Sequence, residues 1–168
     1  REDTAVITVN TCDGSNISKE IRITVGDINQ DEGYEIGTYT VVEEKSLIKF
    51  ITPTTIEQYK ENVNIQEPYS IKVFNGDEEV TDGNIETGMT TVIYKNGEQI
   101  KSYSNSVWGD IYIDGEINLK DVVYLRRFLV GWYDEFYDTP REYSMDFNKD
   151  GKVRLDDVEV LRRFIVDA

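Results

Sequence analysis

The chain contains no histidine, and that absence removes the commonest general base and the commonest zinc ligand together. Its one cysteine, Cys12, rules out an internal disulfide, although secretion stays open. Cys12 reads as a small apolar residue on a strand rather than a reactive thiol. Basic residues are scarce: 18 Lys and Arg stand against 33 Asp and Glu, for a net charge of −15. Nucleic-acid phosphates would be repelled by such a surface. The acidity suits either a calcium-rich extracellular setting or a plain solvated surface. No apolar run approaches the length that spans a membrane. The chain begins at Arg1 with neither an initiator Met nor a signal peptide, so it reads as a piece of a larger protein whose targeting information lies upstream.

What is present suffices for one or two domains: 168 residues, 39% hydrophobic, with 11 Tyr and 6 Phe to build small cores. Residues 4–25 hold two alternating runs around Asp13-Gly14. Ala5, Ile7 and Val9 form one, Ile17, Ile21, Ile23 and Val25 the other, which predicts a β-hairpin. This stretch resembles the closing hairpin of a bacterial immunoglobulin-like module. A lone hairpin is marginally stable, so it either packs on the residues C-terminal to it or ends a preceding domain. Residues 27–31 carry carboxylates at alternate positions, but Glu32 stands where a calcium loop needs glycine; a polar turn is the reading.

Residues 34–108 read as a small α+β module with candidate strands at 38–42, 47–51, 70–74, 89–94 and 98–103. Asn96-Gly97 between two alternating runs is the strongest hairpin signal in the chain. Between Pro53 and Pro68 the spacing of Ile56, Tyr59 and Val63 predicts one short helix. Thr54 or Thr55 serves as N-cap, and Glu57 supports a capping box. No catalytic constellation stands out. The order of strand, helix, strand, Thr87-Gly88-Met89 turn and hairpin, running directly into Gly109-Asp110, resembles the small X-type modules that precede dockerins.

The most informative stretch is written twice. A shift of 36 residues places Asp110 on Asp146, Asp114 on Asp150, Gly115 on Gly151, Asp121 on Asp157, and LRRF at 125–128 on LRRF at 161–164. A hard dication needs several oxygens converging from one short, sharply turned segment. The second copy supplies them: Asp146, Asn148 and Asp150 at alternate positions, Gly151 for the turn, the Lys152 carbonyl, and Asp157 to close the site. The first copy offers Asp110, Asp114, the Glu116 carbonyl and Asp121, but Tyr112 stands where Asn148 coordinates. Water, or Asn118 directly or through water, fills that gap. Two calcium sites are expected, the first weaker. An Asx-rich turn that caps a helix without metal is the alternative for a single loop; two loops in register, each leading into a matched helix, argue against it.

In the helices after the loops, Val122, Leu125, Phe128 and Leu129, and Val158, Leu161, Phe164 and Ile165, share apolar faces that should form the core. So small a core implies that calcium contributes directly to folding. The opposite faces hold Leu119, Lys120, Val123, Tyr124, Arg126 and Arg127, and Leu155, Asp156, Glu159, Val160, Arg162 and Arg163. Paired arginines beside exposed apolar residues are an interface composition. Neither loop is clearly preceded by a helix, with strand before the first and Pro140 interrupting the approach to the second. Loop plus exiting helix, twice, resembles the dockerin pattern over residues 109–168. The aromatic segment between the copies, with Trp132, Tyr133, Phe136 and Tyr137, either clasps the helices or extends the partner surface.

The expected fold class is therefore α+β overall. A β-rich module, immunoglobulin-like or small α+β, precedes an all-α dockerin with two EF-hand-like calcium loops. The divisions fall at 1–33, 34–108 and 109–168. The dockerin resemblance implies a non-catalytic, calcium-dependent module that binds the cohesin of a scaffoldin or cell-surface protein. In dockerins these helix positions contact the cohesin. It further implies a secreted bacterial, surface-associated parent, often acting on polysaccharide. Because Asp156 and Glu159 charge the second helix, the first is expected to dominate binding. The alternatives are calcium-dependent carbohydrate binding or surface adhesion, and a calcium sensor, for which two Met are too few to line a groove. No pair of carboxylates is set apart as a hydrolase site would require.

Overall fold

A computed structural model describes residues 3–10, 18–25, 34–37 and 39–167. The chain divides into two compact units, residues 1–33 and 34–168. In the first, β1 (Asp3–Asn10) pairs antiparallel with β2 (Ser18–Val25), Asp3 opposite Val25 and Asn10 opposite Ser18. The Asp13-Gly14 turn, Cys12 and the 27–31 segment lie outside the described residues.

The second unit opens with β3 (Tyr34–Glu35), β4 (Thr40–Val42), β5 (Leu47–Phe50), α1 (Ile56–Asn62) and β6 (Asn64–Ile65). Next come β7 (Tyr69–Asn75), β8 (Glu78–Val80), β9 (Thr90–Lys95) and β10 (Glu98–Val107), then α2 (Leu119–Leu129), α3 (Pro140–Met145) and α4 (Leu155–Asp167). Six strands form one sheet in the order β4-β5-β10-β9-β7-β8, antiparallel throughout except for the parallel β5–β10 pair. Asn96 and Gly97 both take positive φ, 52° and 82°, and join Lys95 to Glu98 in a two-residue turn, as that dipeptide's left-handed tolerance dictates. Thr55 caps α1 through the Gln58 N–H, and the Gln58 side chain returns the bond to Thr55 N–H. The cap partner is thus Gln58 rather than Glu57. Ile56 and Tyr59 are fully buried with Phe50, Ile85 and Ile93 in the sheet core.

A second core gathers Ile111, Val122, Leu125, Phe128, Phe136, Met145, Phe147, Val158 and Leu161. Successive residues of a strand point to opposite faces, and the end of β10 uses this: Val107 joins the sheet core and Trp108 packs on the helical one. The expectation of an all-α dockerin following a separate β-rich module is overturned. Residues 34–168 form one unit, a mixed six-stranded sheet with four helices, in which α3 packs against β10 and α2 against α4. The physical reason is the small core of the last three helices, completed by Trp108 from the sheet. Trp108 stacks on Phe147 at 3.9 Å between centroids and donates its indole N–H to the Asp146 carbonyl at 3.1 Å.

Pro140 does not interrupt the approach to the second loop. It occupies the first turn of α3, where its missing N–H has no intrahelical partner to lose, so the second loop is flanked by helices on both sides. Phe164, expected in the core, is 41% exposed and meets Trp108 and Phe147 edge-on. No helix among the described residues is long and apolar enough to cross a membrane.

Candidate functional site: two acidic loops and their helices

The duplication in sequence becomes a duplication of geometry. In the first loop Asp110 Oδ1 accepts the Asp114 N–H at 3.0 Å, and in the second Asp146 Oδ1 accepts the Asp150 N–H at 3.1 Å. Asp121 Oδ1 accepts from Tyr112 N–H and Asp157 Oδ1 from Asn148 N–H, at 2.7 and 3.0 Å. Asp121 Oδ2 accepts from Asn118 N–H and Asp157 Oδ2 from Arg154 N–H, both at 2.7 Å. Ile113 and Lys149 hold φ of 61° and 63°, and Gly115 and Gly151 hold 70° and 84°. Each loop thus coils around its first and last aspartates, which gather backbone N–H groups as carboxylates in Asx turns do. Among the described residues no three acidic or cysteine side chains are gathered closely enough to hold an ion as they stand. A carboxylate has roughly four lone-pair directions, so oxygens that already accept an N–H keep capacity for a cation.

The two loops differ in their surroundings. Asp121 and Asp157 are both fully buried, but Asp110 is fully buried where Asp146 is only half-buried. Burial, and then the neighbouring Asp121 charge, push the Asp110 carboxyl up to about 6 against three backbone N–H bonds that pull it down. Burial raises Asp121 as well, with Asp114 adding repulsion. Buried carboxylates repelling one another are the electrostatic setting that a dication relieves. Asp114 meets the Lys120 ammonium at 2.7 Å, a competitor for any ion there. Asp150, more exposed, meets the Arg154 guanidinium at 3.8 Å.

Tyr112 points out of the first loop. Its ring meets Tyr124 edge-on at 5.0 Å and lies beneath the Lys120 ammonium. Asn118, expected to fill the gap, is the N-cap of α2, accepting the Lys120 N–H at 2.9 Å and donating to Glu116 Oε2 at 3.3 Å. In the second loop Asn148 stands where expected, its Oδ1 accepting the Asp150 N–H and its amide donating to Asp156. Lys152 N–H donates to Asp150 Oδ1.

The helix faces sort into free and committed residues. Leu119, Val123 and Arg126 are exposed on α2, as are Leu155, Glu159 and Arg162 on α4. With spacings of four and three they form two equivalent stripes. Val130 and Val166 extend them, 70% and 75% exposed. Lys120 is exposed but bound to Asp114, and Arg163 pairs with Glu159 at 3.1 Å. Tyr124 and Arg127 belong to an internal stack. Tyr124 lies parallel to Tyr133 at 5.3 Å, and the Arg127 guanidinium sits over Tyr124 and Trp132. Of the aromatic segment, Phe136 is buried and Tyr133 half-buried, whereas Trp132 and Tyr137 are exposed. The segment therefore both clasps the helices and adds to the surface.

Sequence reasoning missed the contacts that reach the loops from the sheet. Thr87 N–H donates to Asp110 Oδ2 at 2.8 Å, and Asn84 donates to the Gly115 carbonyl at 3.0 Å. It also missed Arg141, whose guanidinium lies over Phe136 at 4.1 Å with Tyr124 beyond. Thr87-Gly88 marked a turn, but nothing local told what that turn would touch. Comparisons of the chain with protein-family models, with curated proteins and with solved structures find no match.

Proposed function

We propose that residues 34–168 form a calcium-dependent docking module of the dockerin kind. On this reading it joins a secreted bacterial protein to a cohesin on a scaffoldin or cell surface and has no catalytic role. The observation that carries the proposal is the matching set of aspartate hydrogen bonds and backbone angles in the two loops, each leading into a helix with an outward stripe at equivalent positions. Asp146, Asn148, Asp150, the Lys152 carbonyl and Asp157 hold calcium in the second loop. Asp110, Asp114, the Glu116 carbonyl and Asp121 do so in the first. The ion supplies a fixed double positive charge on which these oxygens converge.

Docking rests on the stripes. Leu119 and Val123 present exposed apolar area around Arg126, a residue type enriched among the positions that dominate binding in protein interfaces. On α4 the carboxylates of Asp156 and Glu159 flank Leu155, so α2 carries the larger share. The test is capture by a panel of immobilised cohesins in calcium and in EDTA. It compares the natural chain with Val123→Asp/Arg126→Ala and with Leu155→Asp/Arg162→Ala. Capture is expected in calcium only, with the greater loss in the α2 variant. Capture that survives EDTA, or no capture in calcium, overturns the proposal; retention on glycans would replace it with carbohydrate binding.

A further inference from the structure

The first loop has a neighbour that the second lacks. Residues 84–87, between β8 and β9, lie directly against it. Ile85 is fully buried in the sheet core and its N–H donates to the Thr54 carbonyl at 2.8 Å. The Thr87 hydroxyl accepts the Val107 N–H at 3.0 Å and lies 3.3 Å from the Val107 carbonyl. The segment is thus fastened to the loop before α1 through Ile85 and to the end of β10 through Thr87. From this anchorage Thr87 N–H reaches Asp110 Oδ2, and the Asn84 amide reaches the Gly115 carbonyl. The fit leaves no slack: a Cβ on Gly115 would fall 2.8 Å from Asn84 Cβ and 3.2 Å from Glu86 Cγ. At Gly151, the equivalent position, a Cβ would meet nothing within 4 Å. Asp146 Oδ2, the counterpart of the oxygen taken by Thr87, accepts from Gly151 within its own loop.

We propose that residues 84–87 are a fixed wall of the first loop, in which Thr87 and Asn84 act as positioning residues. Thr87 orients the Asp110 carboxylate and Asn84 holds the turn at Gly115. This rests on the reading of the loops as calcium sites. Its consequence is a division of labour. The sheet orders the first loop with or without calcium, whereas the second loop owes its order to the ion. Calcium-dependence of the whole module then resides in the second loop and α4, and it reaches the docking face of α2 because α2 packs against α4.

Hydrogen exchange on the full chain, together with a calcium titration monitored by the amide resonances of each loop, tests this. In EDTA the amides of 110–121 are expected to stay protected while those of 146–157 lose protection; calcium restores the latter. Asn84→Ala should speed exchange in the first loop and weaken its calcium affinity by about tenfold, roughly the worth of one hydrogen bond, and leave the second loop unchanged. Asn84→Asp keeps the side chain's size but removes the donor and should behave alike. Equal exchange of both loops in EDTA overturns the inference, as does an Asn84→Ala variant with unaltered first-loop protection and affinity. If calcium moves no amide of either loop, the calcium reading itself falls and takes this inference with it. If calcium moves both while the EDTA pattern is symmetric, only the wall falls.

Discussion

The two loops share most of their aspartate hydrogen bonds and their left-handed backbone angles, yet they sit in different surroundings. The first is built into the sheet: Asp110 is buried, Thr87 and Asn84 bind it from outside, and Lys120 pairs with Asp114. The second lies at the surface, with Asp150 and Gly151 exposed. Its principal tie to the sheet is Trp108 through Phe147 and the Asp146 carbonyl. Equivalent residues therefore carry different burdens. The first loop is held from outside by Thr87 and Asn84. The second places Asn148 where the first has Tyr112, and its surroundings are thinner. A repeat in sequence sets local geometry and leaves the environment free to diverge.

The contrast between the loops breaks most severely at Trp108, which ties the second one to the sheet. Trp108→Ala should cost about 3–5 kcal/mol, the range for truncating a large packed aromatic, read by denaturant unfolding in calcium. Next come the paired glycines. Each alanine at a left-handed φ costs about 1–2 kcal/mol. Gly115→Ala must in addition push back Asn84, adding about 1–3 kcal/mol of overpacking, so its midpoint should fall well below that of Gly151→Ala. Equal losses would mean that the wall against the first loop yields freely.

The ion itself sharpens the contrast. Isothermal titration should find a larger affinity loss from Asp150→Ala than from Asp114→Ala, the former on the order of tenfold or more, because removing Asp114 also frees the loop from the Lys120 pair. The reverse ranking would place the stronger site in the first loop. The smallest expected effect is at Asn118. As a cap of α2 rather than a ligand, Asn118→Ala should cost about 1 kcal/mol of stability and leave calcium affinity nearly unchanged.

Much of the candidate site was legible because its signals are local. Aspartates at alternate positions, a glycine at the turn and a closing aspartate set the loop's path within a dozen residues. The spacing of Val122, Leu125 and Phe128 sets the buried side of α2. Asn118 is less legible: a residue between a loop and a helix can serve as ligand or cap, and here its side chain caps α2. Pro140 is ambiguous in sequence because proline at a helix start and proline in a helix interior look alike until the helix is located.

By itself, then, the sequence determined the duplicated loops, their exit helices, the Asn96-Gly97 hairpin and the absence of histidine chemistry. Each stems from backbone preference or periodicity over a few neighbouring residues. Only the tertiary structure decided that the helices share one unit with the sheet, that Tyr124 and Arg127 are drawn into an aromatic stack, and that the first loop rests on Asn84 and Thr87. Those contacts join residues far apart in the chain, Thr87 to Asp110, Asn84 to Gly115 and Trp108 to Asp146. No local pattern encodes them, because they arise from how two small cores close on each other at the end of β10.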